Sequence, residues 1–186
     1  MKALETFYSI AMDDIFKKAA HTPPHLFRAN ATYMLTASIY ENVPVIRSDE
    51  RKVQWRDAFL NSADIYHWRV ITWVVLNNHY HATVESPDNP TSLSKFTGSY
   101  HKFTSRLWND ADQTPGRKTW WNYWDTCIRS EEDYCNRLYY VFWNPVKHGL
   151  AEKPEDYLFS NYRDFLSSQD GIDFSRVNEI KDVPEF

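Results

Sequence analysis

The stretch Trp73-Val74-Val75-Leu76-Asn77-Asn78-His79-Tyr80-His81 decides the fold. Tyr66–Leu76 is rich in β-branched and aromatic residues and holds no breaker, so it predicts a strand. Asn77-Asn78 is a turn signal, because Asn tolerates left-handed backbone and bonds its own main chain. His79–Glu85 then predicts a second strand, and the two form a hairpin. Upstream, Ala31–Tyr40 reads as another strand. Ser48-Asp49-Glu50 starts a helix running to about Ser62, with Val53, Trp55, Phe59 and Leu60 as its apolar stripe. Downstream, Thr91 or Ser92 caps a helix to about Trp108, with Leu93, Phe96, Tyr100, Phe103 and Leu107 on one face. Residues 109–119 are a polar loop, and Trp121–Ile128 is a fourth strand. Ser130-Glu131-Glu132-Asp133 is an acidic helix start; that helix runs to about Trp143 and ends at Asn144-Pro145. Residues 2–20 have helical spacing, and His21-Thr22-Pro23-Pro24 stops them. Strand-helix-strand-strand-helix-strand is the split βαβ order. It predicts an α+β, ferredoxin-like antiparallel sheet with helices on one face, plus an N-terminal helix and a C-terminal tail.

This order sets the expected domains: a helical extension over 1–30, a core over 31–153 and an acidic tail over 154–186. A chain of 186 residues with 42% apolar and 25% charged residues buries a proper core and is not disordered. Four glycines argue against glycine-rich phosphate loops and dinucleotide fingerprints. The net charge is -4, but the tail from Pro154 carries eight acids against three bases, so the body is close to neutral. Net charge therefore does not exclude a polyanionic partner. Cys127 and Cys135 have no zinc spacing, and free thiols are expected. No apolar run is long enough to span a bilayer and the first residues do not read as a signal peptide, so a cytoplasmic protein without membrane contact is expected.

Three constellations carry chemistry. In a strand, residues two apart share a face, so His79 and His81 emerge side by side, close enough to hold one metal ion. Two imidazoles are an incomplete site and need a third ligand. Two histidines on a solvated strand face can equally be inert. On a helix, Tyr140 and Asn144 share a face, so a phenol nucleophile and an amide metal ligand would serve a single site. Tyr139, Tyr140, Phe142 and Trp143 can also be read as simply the packed side of that helix. Asn144-Pro145-Val146-Lys147-His148-Gly149 reads as a rigid exit turn in which Lys147 and His148 could touch phosphate, or as a plain solvated turn.

At these residues the chain resembles the REP-associated tyrosine transposases, within the single-tyrosine HUH transposases. His79-Tyr80-His81 after a strand and a turn resembles their His-hydrophobic-His motif. Tyr140-Val141-Phe142-Trp143-Asn144-Pro145-Val146-Lys147-His148-Gly149 is similar to their Tyr-x-x-x-Asn-Pro-Val-Lys-x-Gly. Tyr123-Trp124-Asp125-Thr126-Cys127-Ile128-Arg129 and the Pro154–Ser160 segment also fit. Tyr80 departs from the usual aliphatic residue and is expected to pack on the opposite strand face. Tyr139 stands beside Tyr140, but only Tyr140 has the four-residue spacing to Asn144.

The resemblance implies cleavage of single-stranded DNA next to a hairpin through a 5′-phosphotyrosine link. It implies Tyr140 as nucleophile and His79, His81 and Asn144 as ligands of Mg²⁺ or Mn²⁺, which polarises the scissile phosphate. Single-stranded or hairpin DNA would be the partner, and the protein a monomer or homodimer. For DNA contact, Lys95, Lys102, Arg106, Arg117 and Lys118 form the most basic stretch, and Trp120 and Trp121 follow as aromatics that could stack on bases. The alternative is a catalytically silent, domesticated DNA-binding protein of the same fold.

Overall fold

A computed structural model describes residues 15–17 and 25–168 of the chain. The main body is a four-stranded antiparallel sheet of β3 (Thr32–Ser38), β4 (Arg69–Val75), β5 (His79–Glu85) and β6 (Trp124–Cys127), in the order β4-β5-β3-β6. α1 (Asp49–Ile65) connects β3 to β4, and α2 (Leu93–Ala111) connects β5 to β6. Both connections cross over to a non-adjacent strand, which gives the expected split βαβ arrangement with both crossover helices on one face. The hairpin bounds match the reading of the sequence: Asn77-Asn78 joins β4 to β5, and Leu76 donates its N–H to the His79 carbonyl at 2.8 Å.

A small ribbon of β1 (Ile15–Lys17) and β2 (His25–Phe27) lies apart from this sheet. The predicted helix over 2–20 lies outside the described residues except at Ile15–Lys17, where the chain is strand instead. The reason is non-local: Ile15 pairs with Phe27 and Lys17 with His25, so this backbone finds its partners across the ribbon. The predicted stop at residues 21–24 and the tail beyond residue 168 lie outside the described residues.

The crossover side of the sheet accounts for much of the aromatic content. Tyr33, Leu35, Tyr80, Ala82 and Val84 point there, against Trp55 and Phe59 of α1 and Phe96 and Tyr100 of α2. The Trp55 ring stacks on Phe59 at 4.9 Å and meets Tyr80 at 4.7 Å. Each such aromatic pair adds about 0.5–1.5 kcal/mol beyond the area it buries. Tyr80 is fully buried there, as expected for the middle residue of His-x-His. Its hydroxyl lies 2.7 Å from the Tyr100 hydroxyl and 3.0 Å from His101 Nε2.

Two stripe residues are corrected. Phe103 is 57% exposed and Leu60 is also exposed, because the buried face of α2 runs Phe96, Tyr100, Thr104, Trp108 in steps of four, and that of α1 turns from Phe59 to Ser62 and Ala63.

The opposite face of the sheet is covered by α3 (Glu131–Lys147). Met34 and Val74 of the sheet pack with Tyr140, Val141 and Phe142 there. Ser130 caps the helix, accepting from the Asp133 N–H at 3.1 Å. Pro145 does not end α3, contrary to the sequence expectation. Lacking an N–H, it leaves one helical bond unmade, yet its φ suits a helix and the chain continues to Lys147. Gly149, at φ +66, then closes the helix: its N–H bonds the Val146 carbonyl at 3.0 Å, and Leu150 N–H bonds that of Pro145 at 2.8 Å. This is a Schellman cap.

The following segment is bound to the sheet edge. Val75 N–H donates to the Phe159 carbonyl at 3.0 Å, and Tyr157 Oη donates to the Val75 carbonyl at 2.8 Å. The Asn161 side chain accepts from Trp73 N–H at 2.7 Å and donates to the Ile71 carbonyl at 2.9 Å. A short α4 (Tyr162–Ser167) follows, its Phe165 against Phe142 of α3.

Candidate active site

His79 and His81 share the face of β5 that α3 covers. Their ring centroids lie 5.1 Å apart. Tyr140 meets His81 edge-on at 4.9 Å, and His148, at the C-cap of α3, meets His79 at 5.0 Å. Asn144 Oδ1 lies 3.1 Å from His79 Nε2. Lys147 Nζ stands 5.7 Å from the Tyr140 ring centre. The hairpin and the last two turns of α3 thus converge on one point, although 65 residues separate His79 from Asn144.

Hydrogen bonds orient both histidines. Asn78 Nδ2 donates to the Asn42 carbonyl at 3.3 Å, which turns its Oδ1 toward His79 Nδ1, 2.7 Å away. In the neutral ring the proton therefore sits on Nδ1, and Nε2 presents a lone pair toward Asn144 Oδ1, itself an acceptor. His81 Nδ1 lies 2.8 Å from Thr36 Oγ1, while its Nε2 is buried without a hydrogen-bond partner. Asn144 Nδ2 is likewise buried and unpartnered. Burial holds the His81 pKa well below the usual imidazole value, with His79, His148 and Lys147 adding to the effect, so His81 is neutral at physiological pH.

This donor set fits a divalent cation. With His79 neutral, its Nε2 and Asn144 Oδ1 face each other as acceptors, and His81 Nε2 lacks a partner nearby; an unmet buried group costs about 1–3 kcal/mol. Each ligating ring would use Nε2 while Nδ1 is held by a neighbouring side chain, the usual arrangement around metal-bound histidine. Imidazole nitrogen and amide oxygen are both donors that divalent ions accept. Among the described residues no group of three His, Cys, Asp or Glu could hold a metal ion.

The other singled-out residues divide. Lys95, Lys102 and Arg106 are exposed on α2, across the sheet from the histidines. Arg117 is engaged by Asp112 at 2.8 Å and by Asn109 Oδ1 at 2.9 Å, and Asp112 also pairs with Arg51. Trp120 is buried and stacks on His101 at 4.5 Å. Lys118 and Trp121 are exposed and lie together: Lys118 Nζ stands 4.1 Å from the Trp121 ring centre. Cys127 and Cys135 are free thiols. No helix among the described residues is long and apolar enough to cross a membrane. Sequence reasoning passed over Thr36 and Asn78, the two side chains that orient the histidines. Asn78 was legible only as a turn residue, and Thr36 becomes visible only once the register pairs it with His81.

No family model matches the chain. It is 26% identical over 119 residues to a Haemophilus influenzae protein that carries the name REP-associated tyrosine transposase provisionally, covering 59% of this chain and 67% of that one. It is 30% identical over 98 residues to the REP-associated tyrosine transposase of Escherichia coli K12, covering 51% of this chain and 54% of that one. The chain thus spans between about half and two thirds of the length of these relatives. A solved structure of the REP-associated tyrosine transposase bound to a REP hairpin superposes with a TM-score of 0.68 at 18% identity, covering 88% of this chain and 94% of that one. That likeness establishes the shared fold.

Proposed function

We propose that this chain, a relative of the REP-associated tyrosine transposases, is a divalent-metal-dependent endonuclease and strand transferase for single-stranded DNA at hairpin or palindromic repeats. The observation that carries the reading is the convergence of Tyr140, His79, His81 and Asn144 on one face of the sheet, with His81 Nε2 buried and unpartnered among them. Its relatives' name and the hairpin seen with the solved neighbour agree with it.

In this reading His79, His81 and Asn144 hold Mn²⁺ or Mg²⁺, which when bound draws charge from the scissile phosphate. Tyr140 Oη attacks phosphorus. A Tyr–O–P bond forms, the P–O3′ bond breaks, and the leaving 3′ oxygen takes up a proton. Phosphate remains on Tyr140 as a 5′-phosphotyrosine, and a later 3′-OH reverses the step without ATP. A phenol titrates near 10, so attack at neutral pH needs help in losing its proton. The Lys147 ammonium stands over the Tyr140 ring, 5.7 Å from its centre, where it can also meet a phosphate. Asn78 Oδ1 accepts from His79 Nδ1 and leaves its Nε2 to a ligand, and Thr36 Oγ1 can accept from His81 Nδ1 to the same effect.

The test is incubation with a labelled hairpin-flanked single strand and Mn²⁺, followed by denaturing electrophoresis. A covalent protein–DNA adduct that is lost in Tyr140→Phe is expected. Binding without any adduct in Mn²⁺ or Mg²⁺ would instead leave a silent DNA-binding protein of this fold. Cleavage that survives Tyr140→Phe would point to a hydrolase without a tyrosine intermediate.

A further inference from the structure

A second feature lies at the far edge of the sheet, away from the histidines. β6 lies on the other side of β3 from β5, and the registers align three strands. Thr36 pairs with His81 on one side and with Trp124 on the other. Paired residues of neighbouring strands share a face, so Trp124 stands on the same face as His81. One row along, Ser38 pairs with His79, and its carbonyl accepts the Trp121 N–H at 2.9 Å. Two strand spacings separate the backbones, roughly 10 Å.

These aromatics are not core. Trp124 is 40% and Trp121 42% exposed, whereas their neighbours Trp120 and Tyr123 pack with the crossover-side core. Trp121 lies against Tyr40 at 4.4 Å, and Lys118 Nζ stands 4.5 Å from the Tyr40 ring centre as well as over Trp121. A positive charge on a partly exposed aromatic pair, beside a second exposed indole, combines the two elements that hold unpaired nucleotides: a π-face for a base and a cation for its phosphate. An aliphatic peptide would gain little from the lysine, and duplex DNA has no free base faces to offer the rings.

We propose that Trp121 and Trp124, with Tyr40 and Lys118, form a stacking site for unpaired bases of the DNA strand whose scissile phosphate sits at His79 and His81. This rests on the single-strand nuclease reading above. At about 3.4 Å per stacked nucleotide, the span from the histidines to this flank is on the order of three nucleotides. The strand would cross β3 between them, over Thr36 and Ser38.

The test uses the full chain without metal, so that nothing is cut. The probes are a blunt hairpin and the same hairpin with a single-stranded extension carrying 2-aminopurine at successive positions. The extension should tighten binding, and 2-aminopurine should be quenched at one or two positions a few nucleotides from the cleavage site. Trp121→Ala and Trp124→Ala should each weaken binding of the extended probe roughly 10-fold or more, while Trp121→Phe stays within about two-fold. Lys118→Gln should lower the salt dependence by about one phosphate contact. An abasic scan on the wild-type protein needs no variant: an abasic site at the quenched position should cost affinity. Indole variants that melt like wild type yet bind the extension equally, or an abasic scan with no responsive position, would overturn the proposal. The adduct assay separates this from its premise: an adduct with no stacking effect removes only this site, and neither binding nor adduct removes both.

Discussion

His79 Nε2 and Asn144 Oδ1 stand 3.1 Å apart, one on the hairpin and one on the last turn of α3, and with the ring neutral and its proton on Nδ1 they meet as two acceptors. The Asn42–Asn78–His79 chain of hydrogen bonds enforces this orientation. Two facing acceptors repel each other, and in the proposed reading a cation between them would relieve that repulsion.

Asn144→Ala should therefore leave the metal-free protein about as stable as wild type, because it removes a buried amide with an unmet Nδ2. The same change should weaken Mn²⁺ binding by at least about 10-fold. Melting curves across a Mn²⁺ titration read both quantities. An equal rise in melting temperature for the variant and wild type would remove Asn144 from the ligand set.

Gly149 should resist substitution, although space surrounds it. Its φ of +66 lies in the left-handed region, and a Cβ there would meet nothing within 4 Å, so the cost is backbone strain and not a clash. Gly149→Ala should destabilise by about 1–2 kcal/mol, seen as a lower denaturant midpoint with an unchanged slope. Because the Schellman cap also holds His148 beside His79, Gly149→Asn, which tolerates that backbone, should recover most of the loss.

The Asn161 side chain carries two bonds on the outer edge of β4. Asn161→Ala leaves Trp73 N–H and the Ile71 carbonyl without their side-chain partner, and should cost about 1–3 kcal/mol. Hydrogen exchange should quicken first at Trp73 and Val75, the β4 amides bonded to this segment. Uniform exchange across the whole sheet would mean that this segment melts only with the global fold.

Acid should weaken the protein through His101. Its ring is enclosed by Trp120 and the Tyr80 hydroxyl, and burial holds its pKa down to about 3, although the residue reaches solvent at one edge. The unfolded chain takes up the proton near 6.5, so the unfolded state binds more protons below that pH, and stability falls as pH drops from about 6.5 toward 3. His101→Gln, which stays neutral and can still bond Tyr80, should flatten the pH dependence of the melting temperature in that window. An unchanged slope would show that other groups govern the acid response.

Much of the site was legible before any coordinates. Period-two spacing put His79 and His81 on one face, and period-four spacing put Tyr140 and Asn144 on one helix side, because these relations are set within a single element. The hairpin and the split βαβ order were readable for the same reason: turn residues and apolar periods are local. The readings that failed did so for different reasons. Ile15–Lys17 pairs with His25–Phe27 in place of continuing a helix. Pro145 stays inside α3 because the cap that ends it lies four residues on, at Gly149. Phe103 faces out because the buried face of α2 follows the sheet beneath it.

The sequence by itself determined the elements, their order and which side chains share a face within each. Only the tertiary structure decided that α3 lies on the face opposite the crossover helices, which brings Tyr140 and Asn144 to the histidines. It also set the register that aligns His81, Thr36 and Trp124 across three strands. Periodicity orients a side chain about its own element, whereas the choice of facing element and of register depends on burial and hydrogen bonding summed over distant segments.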